Sequence, residues 1–487
     1  MIVYNKYFSK ILNYGIATVL IFTIVASINR ILYFLKTDDV LIGIMVIAMY
    51  MLSMVGFIKY KDKLNKLIDF NDKKIIIYIL AVAFILRLLW VVLIPTQPTS
   101  DFGLMYEYAK EVAEGNYYGF EGNSYFARFA HDTITVLYFS VFYHFTTDPL
   151  LIIKFLNIIF GTLAVYLIYL ILKIVFGNKS AVMGGVILAF FPSSIMYTSE
   201  TMSENMAIPL YLLGIYMFIK GMKQEKKAKY LLICGLALSV ANMFRMVGAV
   251  FLIAFFVYTL VYRGIKECIK TLPLIYITYA LSIFIVSQAL LYYGVTETHL
   301  WNSKEPSITS ILKGTNIKYN GRWNEEDARI PEDLNYNSDK IKEVSKAIIV
   351  DRFKSTPLHK LVGHYVLKLS NQWGAGDFGA YDWTVEDATE TSATKFMKNH
   401  YGEINILISL LYTTLLITIL INTIKGNYED KDEMNFFFIL FGGFVLLYLI
   451  SETQERYAFI VSWSMVVFLV RTKNTKNITT NERLTVG

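Results

Sequence analysis

Long apolar runs separated by short polar connections dominate the chain. Residues 75–94, IIIYILAVAFILRLLWVVLI, hold a single charge in a stretch that matches the roughly 20 residues needed to cross a bilayer. Comparable runs at 12–35, 40–58, 150–175, 181–198, 205–221, 230–245, 247–262, 271–292, 403–424, 435–450 and 457–471 bring the expected crossings to about twelve. The first run is read as an uncleaved span, because no small-x-small cleavage site follows it. The stretch 230–262 also reads as one broken helix. The run 133–145 is too short to cross and is expected to lie along the membrane or re-enter it. Residues 103–114, after the helix-stopping Pro95 and Pro98, read as another helix along the membrane.

One large polar stretch, 293–402, interrupts this pattern. It carries Trp301, Trp323, Trp373 and Trp383, and apolar residues at helical spacing through 339–354 and 358–372, parted by Pro357. The expected organisation is a two-span N-terminal segment (1–74), a membrane module (75–292), an outer region (293–402) and a three-span C-terminal module with its tail (403–487). The fold class that follows is an all-α polytopic membrane protein with juxtamembrane helices and a small outer domain.

Composition sharpens this picture. The chain has 487 residues, 55% hydrophobic and 17% charged, against about 25% charged in soluble domains. The net charge of +7 would suit nucleic acid, but the basic residues sit in short loops, which is topology rather than a binding face. Lys59, Lys61, Lys63, Lys66, Lys73 and Lys74 form one cluster. Lys223, Lys226, Lys227 and Lys229 form another, Arg263, Lys266 and Lys270 a third, and Arg471, Lys473 and Lys476 a fourth. Placing these in the cytoplasm puts both termini inside and the alternate connections outside. Cys234 and Cys268 indicate neither a disulfide framework nor a metal site, and no HExxH spacing is present.

Ionised side chains are costly near a bilayer, so those that gather on one side are informative. By this topology Asp101, Tyr106 and Glu107, Arg128, His131 and Asp132, Glu200 and Glu204, Arg245, and Glu452, Glu455, Arg456 and Tyr457 all reach the outer face. Asp101 can take a proton from an acceptor hydroxyl, which is general-base chemistry; it or Ser100 would equally serve as a helix N-cap. Glu204 reads as a second carboxylate facing Asp101 or as a first-turn residue of the next helix, with Glu200 its solvated neighbour. Arg245, between two apolar half-runs, reads as a phosphate ligand or as an arginine snorkelling to headgroups. Arg87, roughly 10 Å below the outer end of its span, is expected to pair with an internal carboxylate or to snorkel. The segment SETQERYAFIVSW reads as a cation beside a substrate phosphate or as an interfacial anchor.

In their order along the chain these residues resemble the GT-C superfamily of membrane glycosyltransferases. The similarity is to the branch of protein O-mannosyltransferases and the aminoarabinose transferase of lipid A. The pieces are Asp101, Tyr106, Ala109 and Gly115; then Pro192, Ser203 and Glu204; then Arg245; then Pro357 and Trp373; and finally Glu452, Gln454, Arg456 and Tyr457. The resemblance implies a sugar taken from a polyprenyl-phosphate donor outside the cytoplasm, with Asp101 as base and Glu204 as its partner. It implies Tyr106, Arg128, His131, Arg245, Glu452, Arg456 and Tyr457 as substrate contacts. The first motif is Ser-Asp-Phe rather than the acidic pair often seen, which leaves a divalent cation open as the one candidate cofactor. The implied partners are the lipid-linked donor, a cell-envelope glycan, lipid or protein as acceptor, and the bilayer, with no nucleic acid. Two other readings share the outer loop or the many spans: a flippase or transporter of lipid-linked sugars, and a polysaccharide polymerase or ligase. No internal repeat favours a transporter.

Overall fold

The structure is a computed structural model that describes residues 2–37, 40–68, 72–425 and 432–470. Among these residues the fold is all helical, and it is that of a multi-pass membrane protein. Arg471, Lys473 and Lys476 lie outside the described residues, as do the side chains of 56–73.

Seven helices are long and apolar enough to cross a membrane, or eight if one bent pair counts as a span. The seven are α1 (Ile2–Thr37), α3 (Asp72–Leu93), α6 (Leu150–Phe176), α8 (Glu204–Met222), α11 (Ile265–Tyr292), α14 (Tyr401–Ile424) and α15 (Asp432–Ile450). Between them, α2 (Val40–Ile68), α9 (Ala228–Phe244) and α10 (Gly248–Arg263) hold shorter apolar segments of 10–17 residues, at three of the runs expected to cross. The run 181–198 is the bent pair. Helix α7 (Asn178–Ala189) breaks before Pro192, and the chain resumes at an angle of 63°. Pro192 opens the second piece at its first position, where a helix does not need its missing N–H, and this favours a new start over a continuous helix. The run 457–471 is likewise no single helix but a 3-10 segment, Glu455–Val461, followed by Trp463–Leu469. Almost every residue of it is buried in protein.

The stretch 230–262 is two helices joined by a short turn at 245–247, and beyond the turn each packs mainly on other helices. The Tyr211 and Phe218 rings of α8 stack on Phe251 and Phe255 of α10, so these two helices run in the same direction. Helix α9 returns between them, with Gly214 against Leu238 and Gly221 against Leu231. The α9–α10 turn therefore sits at the same end as the start of α8. At the opposite end Lys223 pairs with Glu433, Lys227 with Glu267, and Arg263 approaches Asp432 and Glu433.

Two further helices, in the runs expected to lie along the membrane, are also short of spanning length. Helix α4 (Ser100–Ala113) packs on α5 (Thr133–Tyr143), as the run lengths suggested. The outer region contains the helices either side of Pro357, α12 (Ser338–Ser355) and α13 (Leu358–Trp373).

The first helix is part of the main core. Ile16, Leu20 and Ile24 are buried there, Ser27 Oγ lies 2.8 Å from Thr413 Oγ1 of α14, and Arg30 donates to Asn405. A Cβ at Gly374, just past α13, would stand 2.9 Å from that of Ala26, so the outer region rests directly on α1.

Arg87 neither snorkels nor meets a carboxylate. It is fully buried and donates to Ala83 O at 2.9 Å and Ser194 Oγ at 2.6 Å. It also lies 3.5 Å from the carbonyls of Leu188 and Ala189, where α7 ends. A cation at a helix C-terminus meets the negative end of the helix dipole, so Arg87 seals the broken span.

Candidate active site

The segment 451–457 is pinned through its backbone. Lys368 Nζ donates to Ser451 O and Gly314 O at 2.7 and 2.8 Å, Thr453 N–H to Gly321 O, and Gln372 to Gln454 O. Tyr448 OH donates to Tyr457 O at 2.6 Å. Gly314 fits here because any Cβ would meet the backbone of Ile450 and Ser451 at 2.5 Å. With the backbone fixed, the side chains are delivered in set directions. Glu455 pairs with Arg322, Glu452 with Lys313 at 3.2 Å, and Arg456 with Asp101 at 3.2 Å.

Asp101 sits in the first turn of α4, directly after Ser100, whose φ of +51° costs a non-glycine residue about 1–2 kcal/mol. Neither Ser100 nor Asp101 caps the helix: the capping position is Thr99, without a side-chain bond. The Asp101 carboxylate instead accepts from Tyr125 OH at 2.8 Å and from Arg456, with 43% of its side chain exposed. The Arg456 guanidinium lies over both the Phe102 and Trp383 rings, 4.6 and 4.5 Å from their centroids, and the two rings meet each other edge to face.

Glu204, at the start of α8, makes the second pair. Its carboxylate lies 3.2 Å from Arg245 Nε and accepts from Ser203, and it is 2% exposed. Arg245 lies in the turn between α9 and α10, which places it beside the start of α8. The Tyr457 ring stands between the two pairs, 5.2 Å from the Arg245 guanidinium and 5.6 Å from that of Arg456, and its hydroxyl donates to Glu452. Burial alone would lower the pKa of both arginines. Glu204 reverses this for Arg245, while Tyr457, Glu204 and Asp101 reverse it for Arg456, so both remain cations.

The other candidates are placed differently. Arg128 lies against the Tyr336, Phe129 and Tyr125 rings and reaches the cluster only through Tyr125. His131 flanks it, with Nε2 3.6 Å from Asp132. Tyr106 turns to Asp148, to which its hydroxyl donates at 2.6 Å. Glu200 is not solvated: it is fully buried, its Oε2 has no partner, and burial pushes its pKa up to about 8. Among the described residues no group of three or more His, Cys, Asp or Glu side chains could hold a metal ion.

Sequence reading missed the contacts of Tyr125, Phe102, Trp383 and Lys313. Trp383 stood out only as one of the outer-region tryptophans, and Lys313 gave no signal at all. Beside Arg245 the structure opens an apolar cavity of about 830 Å³, bordered by Ala130, Ile134, Met243, Met246, Phe284 and Trp301.

Residues 132–292 match the family model for dolichyl-phosphate-mannose-protein mannosyltransferase. No curated protein matches the chain. Among solved structures, ArnT from Cupriavidus metallidurans bound to undecaprenyl phosphate aligns over 81% of this chain and 76% of its own, at 14% identity and a TM-score of 0.36. The resemblance to GT-C glycosyltransferases is thus borne out by a family model over the segment that carries Asp132, Glu204 and Arg245, whereas Asp101 and Arg456 lie outside that segment.

Proposed function

We propose that this protein transfers a sugar from a polyprenyl-phosphate-linked donor to an acceptor at the extracytoplasmic face of the membrane, with Asp101 as general base. The observation that carries this reading is the meeting of two arginine–carboxylate pairs on the Tyr457 ring, one pair buried and one open. The open carboxylate is Asp101, the group able to meet an acceptor hydroxyl. The proton of that hydroxyl passes to Asp101 as its oxygen attacks the anomeric carbon. The bond from that carbon to the phosphate oxygen breaks, and the electron pair leaves with the lipid phosphate. Arg245 and Arg456 stabilise the charge that develops there. Arg245 suits the phosphate because only its Nε is taken by Glu204 and the apolar cavity adjoins it, which offers the first isoprenoid units a place. The basic loops at the far end of the helices support the sidedness.

The test is transfer from polyprenyl-phosphate sugars by membranes containing the protein, alongside mass analysis of surface glycans with and without it. Asp101→Asn is expected to reduce transfer by about 100-fold or more at unchanged protein level. Full activity in that variant refutes the assignment of the base.

A further inference from the structure

The ion pair of Lys313 with Glu452 differs from the other contacts of the 451–457 segment. Both residues are buried, at 8% and 7% exposure, and their charged atoms are 3.2 Å apart. A buried ion pair gains little stability over apolar side chains of the same size, because two ions must leave water. Nor does the segment need the pair for its docking. Its backbone is held by Lys368 at Ser451 O, by Gly321 O at Thr453 N–H and by Gln372 at Gln454 O, and Ser310 Oγ accepts the Glu452 N–H at 3.3 Å. The pair therefore calls for a reason other than anchoring.

That reason lies at the other oxygen of the carboxylate. Lys313 Nζ meets Glu452 Oε2, while Glu452 Oε1 accepts from Tyr457 OH at 3.3 Å. At its backbone end Tyr457 is held by Tyr448, which donates to its carbonyl. A ring tied at both ends keeps one orientation. Both site arginines lie over this ring, with guanidinium-to-centroid distances of 5.2 Å for Arg245 and 5.6 Å for Arg456. Two cations repel each other, whereas the ring face attracts each, so the orientation of the ring sets where the two guanidinium groups stand. Lys313 and Ser310 belong to the short helix Ile308–Gly314 of the outer region. The outer region thus reaches the arginines through a line of three side chains.

We propose that Lys313 is a positioning residue for the transfer. Through the Glu452 carboxylate it fixes the Tyr457 ring, and the ring sets Arg245 and Arg456 for the leaving phosphate. This rests on the proposed function. The donor phosphate is a diester with one negative charge, and it gains a second as its bond to the anomeric carbon breaks. The placing of two cations therefore counts more in the transition state than in the bound donor.

The test is a double-variant cycle on the full chain in membranes, supplied with undecaprenyl phosphate carrying mannose, glucose or galactose. Lys313→Met keeps the stem and removes the charge; Tyr457→Phe keeps the ring and removes the hydroxyl. In Lys313→Met, kcat is expected to fall about tenfold with KM for the donor within about threefold of wild type. Tyr457→Phe should lose a similar amount, and adding Lys313→Met to it should cost no more than about twofold further. A Lys313→Met enzyme with wild-type kcat overturns the proposal, as does a loss carried by KM. So do losses that multiply in the double variant, since Lys313 would then act by another route, such as docking of the outer region. If Lys313→Met does not fold, Lys313→Met joined with Glu452→Leu, which leaves no charge unpaired, takes its place and the same outcomes decide. A wild type that transfers none of these sugars overturns the proposed function and this role with it. Failure of the cycle in an active wild type leaves that function standing.

Discussion

Arg87 offers a sharp test of how the broken span is held. Replacing it with Met keeps the apolar stem and removes every donor. Ser194 Oγ and Ala189 O then lose the partner that Arg87 supplies, whereas Leu188 O keeps the N–H of Phe191. Each buried polar group left unsatisfied costs about 1–3 kcal/mol, and removing an uncompensated buried cation returns part of that. The net expectation is a destabilisation of about 1–3 kcal/mol for Met, with Ala worse because it adds a cavity. Gly161 supplies an internal control. A Cβ there would stand 2.7 Å from Arg87 Nε, so Gly161→Ala should cost about 1–3 kcal/mol by overpacking in the wild type but little in the Arg87→Ala background. Unfolding in detergent, followed for both singles and the double variant, measures the coupling. An Arg87→Met protein as stable as wild type, or strictly additive costs, would show that Arg87 does not seal the break.

Three further outcomes follow. Glu200, with its carboxyl pushed up by burial from 4.5 to about 8, holds its proton in the folded state over a range where the unfolded chain has lost it. Its contribution therefore falls as pH rises from 4.5 to about 8 and is flat above that. Glu200→Gln should gain unfolding temperature relative to wild type across that window; parallel pH profiles would contradict this. Arg456→Lys keeps a charge but loses the planar guanidinium that lies over the Phe102 and Trp383 rings, so transfer from lipid-linked sugar should fall about tenfold or more. Gly314→Ala should dislodge the 451–457 segment, lowering stability by about 1–3 kcal/mol and abolishing transfer; a stable, active variant would mean that this docking is dispensable.

Much of the architecture was written in continuous apolar runs, because a helix in lipid needs both length and hydrophobicity and both are local properties. Which connections share an end was read from another local property, the placement of Lys and Arg in the short loops. The site was legible as a set of polar residues but not as pairs. Asp101 and Arg456 are 355 positions apart, and nothing in the sequence said that Arg456 would choose Asp101 while Arg245 chose Glu204. Glu200 and Glu204 look alike in SETMSEN, yet both are buried and only Glu204 finds a cation. Arg87 was misread because a lone buried arginine suggests a carboxylate partner, whereas helix-end carbonyls carry no signature in side-chain identity. The contacts of Trp383 and Phe102 with Arg456 carried no signal, because packing on a cation needs only an aromatic ring at the right spot, and the chain has many.

The pairing of the first helix with α14 bears on biosynthesis. Ser27 and Thr413 are 386 residues apart, so at roughly 5–20 residues per second α1 enters the bilayer tens of seconds before its partner has been made. Throughout that interval its polar stripe, including Ser27 and Arg30, faces lipid or a helper rather than Thr413 and Asn405. Assembly of the catalytic end must therefore wait for nearly the whole polypeptide, and any insertion chaperone that shields α1 would set the yield of functional protein without touching the chemistry.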